Sequence, residues 1–398
     1  DPSWTAADIA TSADNLWHVF VADMDNDGDM DILSASETDD AIAWYENDGA
    51  ADPSWAAADI ATSADNARSV FAADMDNDGD MDILSASSFD NTIAWYENDG
   101  AADPSWTAAD IATSAAAATF VIAADMDNDG DMDIVSSSED DDAIAWYEND
   151  GAADPSWTAA DIATSADQAT SVFAADMDND GDIDLLSTSL GDEAIAWYEN
   201  DGAADPSWTA ADIATSANNP ASVFAADVDG DGDMDIVSAS YGDNTIAWYE
   251  NDGAVDPSWT AADIATSADG ANSVFAADLD NDGDLDIVTN EFNSRPMVLI
   301  SNLSEKHDKL NYLKVKLVGE KSNRDGLGAV VRVRAGSQTY MKVHDGQSGY
   351  MSQSLYPLYF GLNEVTNVDE IKVTWPSGNK QTVSGPIDVN RTIEVKEQ

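Results

Sequence analysis

An all-β fold is predicted: a six-bladed, alternatively seven-bladed, β-propeller followed by a small C-terminal β-sandwich or barrel. Three features of the 398-residue sequence predict it. The string Asp-Pro-Ser-Trp recurs at Asp1, Asp52, Asp103, Asp154, Asp205 and Asp256, a step of 51 residues without an insertion. Each period holds four short β-prone runs separated by turn residues. The charge then breaks: up to Leu303 the only basic residues are Arg68 and Arg295 and the net charge is −66, whereas Ser304–Gln398 carries +2. Six copies use 306 residues and leave 92, so residues 1–303 and 304–398 are predicted to be separately built units.

In the second copy the runs are Ser69–Asp74, Met81–Ser87, Thr92–Glu97 and Trp106–Thr113. Four strands per copy make one sheet per copy, and a period of this length reads as a propeller blade. Trp95 and Tyr96 are neighbours on a strand and must point to opposite faces, which buries both faces of a blade. Sugar stacking is the rival reading of these aromatics; their recurrence in every copy favours packing between blades. The last copy offers only Ser273–Asp278, Leu285–Thr289 and Met297–Ser301, while the chain opens on Ser3–Thr11, an orphan fourth strand. That segment is expected to complete the last blade and close the ring; a further piece upstream would make seven blades. With Asp1 first and no initiator Met, a processed chain or an excised fragment is expected. Beyond residue 303, alternation in Tyr312–Leu317, Val330–Arg334, Thr339–Val343, Ile371–Trp375 and Thr392–Val395 predicts a small antiparallel sandwich or barrel. Its most polar cluster, Asn323-Arg324-Asp325-Gly326, reads as a turn held by its own hydrogen bonds rather than a site.

Composition removes several classes of function. With 79 acidic against 15 basic residues and a net charge of −64, the surface repels nucleic acid and anionic membranes. No cysteine is present, which excludes disulfides, thiol catalysis and thiolate metal sites. No apolar run approaches the roughly 18 residues that span a bilayer, so membrane insertion is not expected. The fitting partners are cations and neutral or cationic surfaces, including glycans.

Every copy contains Asp-x-Asp-x-Asp-Gly-Asp-x-Asp between its first two strands. The acidic positions are Asp23, Asp25, Asp27, Asp29 and Asp31; Asp74, Asp76, Asp78, Asp80 and Asp82; Asp125, Asp127, Asp129, Asp131 and Asp133; Asp176, Asp178, Asp180, Asp182 and Asp184; Asp227, Asp229, Asp231, Asp233 and Asp235; Asp278, Asp280, Asp282, Asp284 and Asp286. Carboxylates at positions 1, 3 and 5, glycine at 6 and a carbonyl at 7 follow the first half of an EF-hand loop, with position 9 closing the shell. A solvated acidic turn is the alternative. Two carboxylates about 5 Å apart repel by roughly 3 kcal/mol at an effective dielectric near 20, so an empty loop resists closing. Hard oxygen donors favour Ca²⁺, about six ions at one per copy, in a structural role.

The six copies are not identical, and their differences bear on function. The variable positions gather on the side opposite the acidic loops, in the columns Trp17, Arg68, Thr119, Thr170, Ala221, Asn272 and Asp40, Asn91, Asp142, Glu193, Asn244, Arg295. Trp17, His18, Arg68 and Arg295 are the candidate ligand patch for a protein or glycan, if ring closure brings their sectors together. Catalysis is not expected, because near-identical blades offer the same environment six times and a catalytic pair needs two different ones. The expected function is a binding or adhesion scaffold, a monomer or a module of a larger chain. Alternatives are a structural spacer in a secreted or surface protein and a propeller enzyme acting on polysaccharide.

Val70-Phe71-Ala72-Ala73 with its loop, Ile83-Leu84-Ser85-Ala86-Ser87 and Ile93-Ala94-Trp95-Tyr96-Glu97-Asn98 resemble the FG-GAP/VCBS repeats of integrin-α-type propellers, the VCBS-like variant more closely. Ser322-Asn323-Arg324-Asp325-Gly326-Leu327-Gly328-Ala329, Gly349-Tyr350-Met351-Ser352-Gln353, Phe360-Gly361-Leu362 and Val373-Thr374-Trp375-Pro376-Ser377-Gly378 resemble the ASPIC/UnbV domain that follows such repeats in cartilage-acidic-protein-like proteins. The resemblance implies calcium in the loops and an extracellular location; neither domain implies a defined reaction.

Overall fold

The computed structural model describes residues 8–11, 13–254, 256–306, 310–344 and 357–398. In the second copy the strands are Ala67–Ala73, Asp82–Ser87, Thr92–Asn98 and Trp106–Ala112, an antiparallel meander in chain order. The first five copies each form such a four-stranded sheet, and the described residues of the sixth form three strands, Ala271–Ala277, Asp286–Glu291 and Val298–Leu299. The predicted strands lie within two residues of these because alternation and Gly-containing turns fix both ends.

Three kinds of contact repeat from blade to blade. First strands pack side by side around a common axis, where Phe20 meets Phe71 at 4.8 Å between ring centroids and Phe224 meets Phe275 at 5.2 Å. Away from the axis, the third-strand tryptophan of one blade meets the outer-strand tryptophan of the next edge to face: Trp44 with Trp106 at 6.3 Å, Trp95 with Trp157 at 6.1 Å. A buried asparagine then bridges the two blades. Asn149 Nδ2 donates to Met75 O of the preceding acidic loop at 2.8 Å and to Met132 O of its own at 3.0 Å, and Asn98, Asn200 and Asn251 repeat this. Trp95 and Tyr96 are 4% and 5% exposed, so the aromatic pair is core.

Among the described residues, blade one shows none of these contacts on its leading side. Val19 is 38% exposed where Val70, Val121 and Val274 are fully buried, and Leu16 is 46% exposed. Asn47 is half-buried and reaches only the carbonyl of its own loop, Met30 O, at 3.0 Å. The expected closing strand, Ser3–Thr11, lies largely outside the described residues, and residues 8–11 carry no strand. The described residues therefore form a propeller-like array of six sheets without a visible closure.

Beyond residue 303 two sheets face each other. One orders Gln338–His344, Ala329–Ala335, Asn367–Thr374 and Lys380–Asp388; the other sets Tyr312–Val318 between Leu358–Gly361 and Arg391–Lys396. The expected sandwich is there, but Tyr312–Val318 and Arg391–Lys396 pair in parallel, so it is mixed rather than antiparallel. Leu358–Gly361 and Lys380–Asp388 were missed: the first is short, and the second contains Gly385 and Pro386, which read as a turn. Asn323 forms a self-bonded turn as expected, donating to Leu327 O at 2.7 Å and accepting from Leu327 N at 2.8 Å.

This sandwich sits on the acidic-loop side of the array. Leu327, Val330 and Met341 join the hydrophobic cluster of the first blades, Tyr340 lies against Gly232, and Arg324 lies beside Gly28. The separately built units predicted from charge are packed together, and the charge break has a physical sense. The weakly basic unit sits on part of the most anionic face.

Candidate metal centre

The loop backbone follows from its sequence. Gly79 sits at φ +99°, a region closed to most side chains, and its N–H donates to Asp74 Oδ2 at 3.1 Å. Asp76 Oδ1 accepts from Asp78 N at 3.2 Å, and Asp78 Oδ1 accepts from Asp80 N at 3.0 Å. Each of these carboxylates thus shapes the turn with one oxygen, and the position-1 residue Asp74 keeps its other oxygen without a hydrogen-bond partner. In the first five copies, ligand oxygens from positions 1, 3 and 5 lie within 4.8 Å of one another.

The five acidic positions divide into three roles. Positions 1, 3 and 5 converge. Position 7 turns sideways: Asp80, Asp131, Asp182 and Asp233 each accept from the position-4 asparagine of the preceding loop, Asn26 to Asp80 at 2.7 Å being one example. Position 9 is a fastener, Asp82 accepting from Met75 N at 3.1 Å and Asn98 N at 2.8 Å while nearly inaccessible.

The fit to a cation rests on the position-1 residues. Asp23, Asp74, Asp125, Asp176, Asp227 and Asp278 each keep a buried Oδ1 with no hydrogen-bond partner, an arrangement that costs free energy unless a cation meets it. Burial, with repulsion from neighbouring carboxylates, pushes Asp74 and Asp176 up to about 7 and Asp23 and Asp125 to about 6. Burial also raises Asp82, Asp133, Asp184 and Asp235 to about 8, backbone N–H donors offsetting part of it. Oxygen donors without nitrogen or sulfur suit a hard divalent cation.

The opposite face corrects the patch reading. Trp17 and Arg68 do come together, the guanidinium 4.0 Å from the ring centroid. Glu37 closes the pair, accepting from Trp17 Nε1 and lying 3.8 Å from Arg68 Nη2. The positive charge is therefore already matched and the indole face covered. His18 is not on this surface. Strand alternation turns it to the axis, where it is 3% exposed, 5.5 Å from the Phe120 ring, and burial pulls its pKa down to about 3. Arg295 is exposed in the sixth blade, and no described contact joins it to Trp17 or Arg68.

Both variable columns also have structural work. Asp40, Asn91, Asp142, Glu193 and Asn244 have φ between 53° and 62°, and Asn91 Oδ1 accepts from Ala117 N at 2.9 Å. Thr119 and Thr170 are buried, each donating to the next blade, at Ala169 O and Pro220 O. Two features escaped the sequence reading. Phe89, Tyr241 and Phe292 are exposed, at 70%, 42% and 64%, in the connections between second and third strands, with Tyr241 and Phe292 paired at 5.8 Å. Aromatics in two neighbouring columns were the available signal: Phe89 among Thr38, Asp140, Gly191, Gly242 and Asn293, and Tyr241 and Phe292 beside Glu37, Ser88, Glu139 and Leu190. Gly230 replaces the position-4 asparagine in loop five alone, and there the C-terminal sandwich enters: Asn363 N donates to Gly230 O at 3.1 Å.

Repeated sheets joined by acidic metal-fitting loops, capped by a mixed β-sandwich, define a class of repeat scaffold. The chain belongs to the FG-GAP-like repeat family, which matches residues 23–85, 82–136, 125–187, 176–238 and 227–289, and an ASPIC and UnbV domain matches residues 319–398. Among solved structures it is similar to the Vibrio cholerae biofilm matrix protein Bap1, at 16% identity and a TM-score of 0.43 over 96% of this chain and 61% of that one. It is also similar to a Lactobacillus plantarum protein, at 14% and 0.45 over 90% and 96% of the two chains. A third is the Bacillus licheniformis rhamnogalacturonan lyase, at 11% and 0.45 over 96% and 72%. No curated protein sequence matches the chain. Among the described residues no helix is long and apolar enough to cross a membrane.

Proposed function

We propose that the chain is a calcium-stabilised extracellular scaffold whose propeller-like array binds a protein or glycan ligand on the face opposite the acidic loops. One observation carries the binding face: the exposed aromatic side chains among the described residues, Phe89, Tyr241 and Phe292, all lie there, while the C-terminal sandwich occupies part of the loop face. Aromatic rings are the common anchors for sugar faces and for protein hot spots. Calcium is supported by the orphan Oδ1 atoms and by the family; the extracellular setting, by the millimolar calcium that suits many modest sites. No catalytic step is assigned. The test is a screen of glycans and matrix proteins against the wild type, a Phe89→Ser/Tyr241→Ser/Phe292→Ser variant and a Trp17→Ala/Arg68→Ala/Arg295→Ala variant. The first variant is expected to lose binding at least tenfold and the second to keep it. Full binding by the aromatic variant overturns this face.

A further inference from the structure

The six loops share one sequence pattern, but the sixth is held differently. In loops one, two and five the position-1 Oδ2 takes the glycine N–H, at 3.0 to 3.1 Å. Asp278 Oδ2 takes Gly283 N at 3.1 Å and, in addition, the Lys314 ammonium from the C-terminal sandwich. That contact is nearly dry, the two side chains being 11% and 1% exposed. The rest of the loop is occupied as well. Ser304 donates through its N–H to Asp284 Oδ2 at 2.7 Å and through Oγ to Asp282 Oδ2 at 2.8 Å, and Tyr359 Oη donates to Gly283 O at 2.9 Å. Asp278 Oδ1 nevertheless stays buried without a hydrogen-bond partner, as in the other five loops, so the oxygen that would face a cation is kept.

We propose that Lys314 makes the sixth loop a shared cation site, in which an ammonium and a divalent ion draw on one carboxylate, so that loop six binds calcium more weakly than loops one to four and its filling loosens the hold of the C-terminal sandwich. The inference rests on the calcium reading of the loops. Two cations within hydrogen-bonding reach of one carboxylate repel, and a carboxylate already neutralised offers less to a second ion. Linkage makes the effect reciprocal: whatever Lys314 subtracts from calcium affinity, calcium subtracts from docking. In loop five Lys342 also stands near the position-1 carboxylate, its charge offsetting part of the rise that burial gives Asp227, so loop six is compared with loops one to four.

Calcium titration by calorimetry, with ion counting by native mass spectrometry, tests this on the full chain. The wild type is expected to show comparable sites in loops one to four and, in loop six, one at least tenfold weaker than these. Asp278→Asn should remove only the weak site, which assigns it to loop six. Lys314→Met should raise its affinity at least tenfold, and Lys314→Arg, which keeps the charge, should not. Six equivalent sites in the wild type, or a weak site indifferent to Lys314→Met, overturns the proposal while leaving the calcium reading intact. Absence of calcium uptake by every loop overturns both.

Discussion

Chelation of calcium is expected to lower the unfolding midpoint by more than about 15 °C, the largest effect any single treatment should have. Six sites each contributing RT ln(1 + [L]/Kd) supply roughly 8 kcal/mol together at ten times Kd, comparable with the whole stability of an ordinary domain. The pH dependence should also invert. In metal-free protein the raised carboxyls, from Asp74 at about 7 to Asp82 at about 8, bind more protons folded than unfolded. Their contribution is complete below the ordinary carboxylate range and is lost as pH rises through 7 and 8. Metal-free protein should therefore melt higher at pH 5 than at pH 8. Calcium-loaded protein should do the opposite, because protons compete with the ion. Thermal melts at the two pH values, with calcium or with chelator, check all four combinations; a chelator-independent midpoint would end the structural-calcium reading.

Trp95→Ala is expected to cost about 3–5 kcal/mol, since a nearly inaccessible indole leaves a cavity between two blades and loses its edge contact with Trp157. Phe89→Ser, at a fully solvated tip, should change stability by less than about 0.5 kcal/mol. Chemical denaturation of the two variants separates packing from ligand recognition, the rival roles for aromatics in this sequence. A stability loss for Phe89→Ser as large as for Trp95→Ala would contradict the assignment.

The period, the strands and the loops were legible because each is encoded within a few residues. Alternation marks Thr92–Asn98, Gly79 marks the turn, and Asp-x-Asp-x-Asp places three carboxylates on one side of it. What escaped depends on residues far apart. His18 was placed on the surface by its position beside Trp17, yet strand parity sends the two to opposite faces. The free charge expected at Arg68 is cancelled by Glu37, 31 positions away by number and one blade away in space. The columns taken as free to vary are bound by positive φ at Asn91 and by an inter-blade bond at Thr119, constraints a sequence does not display. Docking of the C-terminal sandwich through Lys314 and Gly230 is longer-ranged still, and only the charge break and one missing asparagine hinted at it.

The leading flank of blade one, open among the described residues, sets where the described array comes apart. In an array held by nearest-neighbour terms, an interior sheet must break two interfaces to melt and a terminal sheet only one. Blade six, although terminal, is stapled by Lys314, Ser304 and Tyr359. Blade one has exposed Val19 and Leu16 and a clamp asparagine satisfied only from its own loop. Unravelling should start there and travel toward blade six, so amide hydrogen exchange in Leu16–Ala22 should be the fastest among the six first strands and that in the third and fourth blades the slowest.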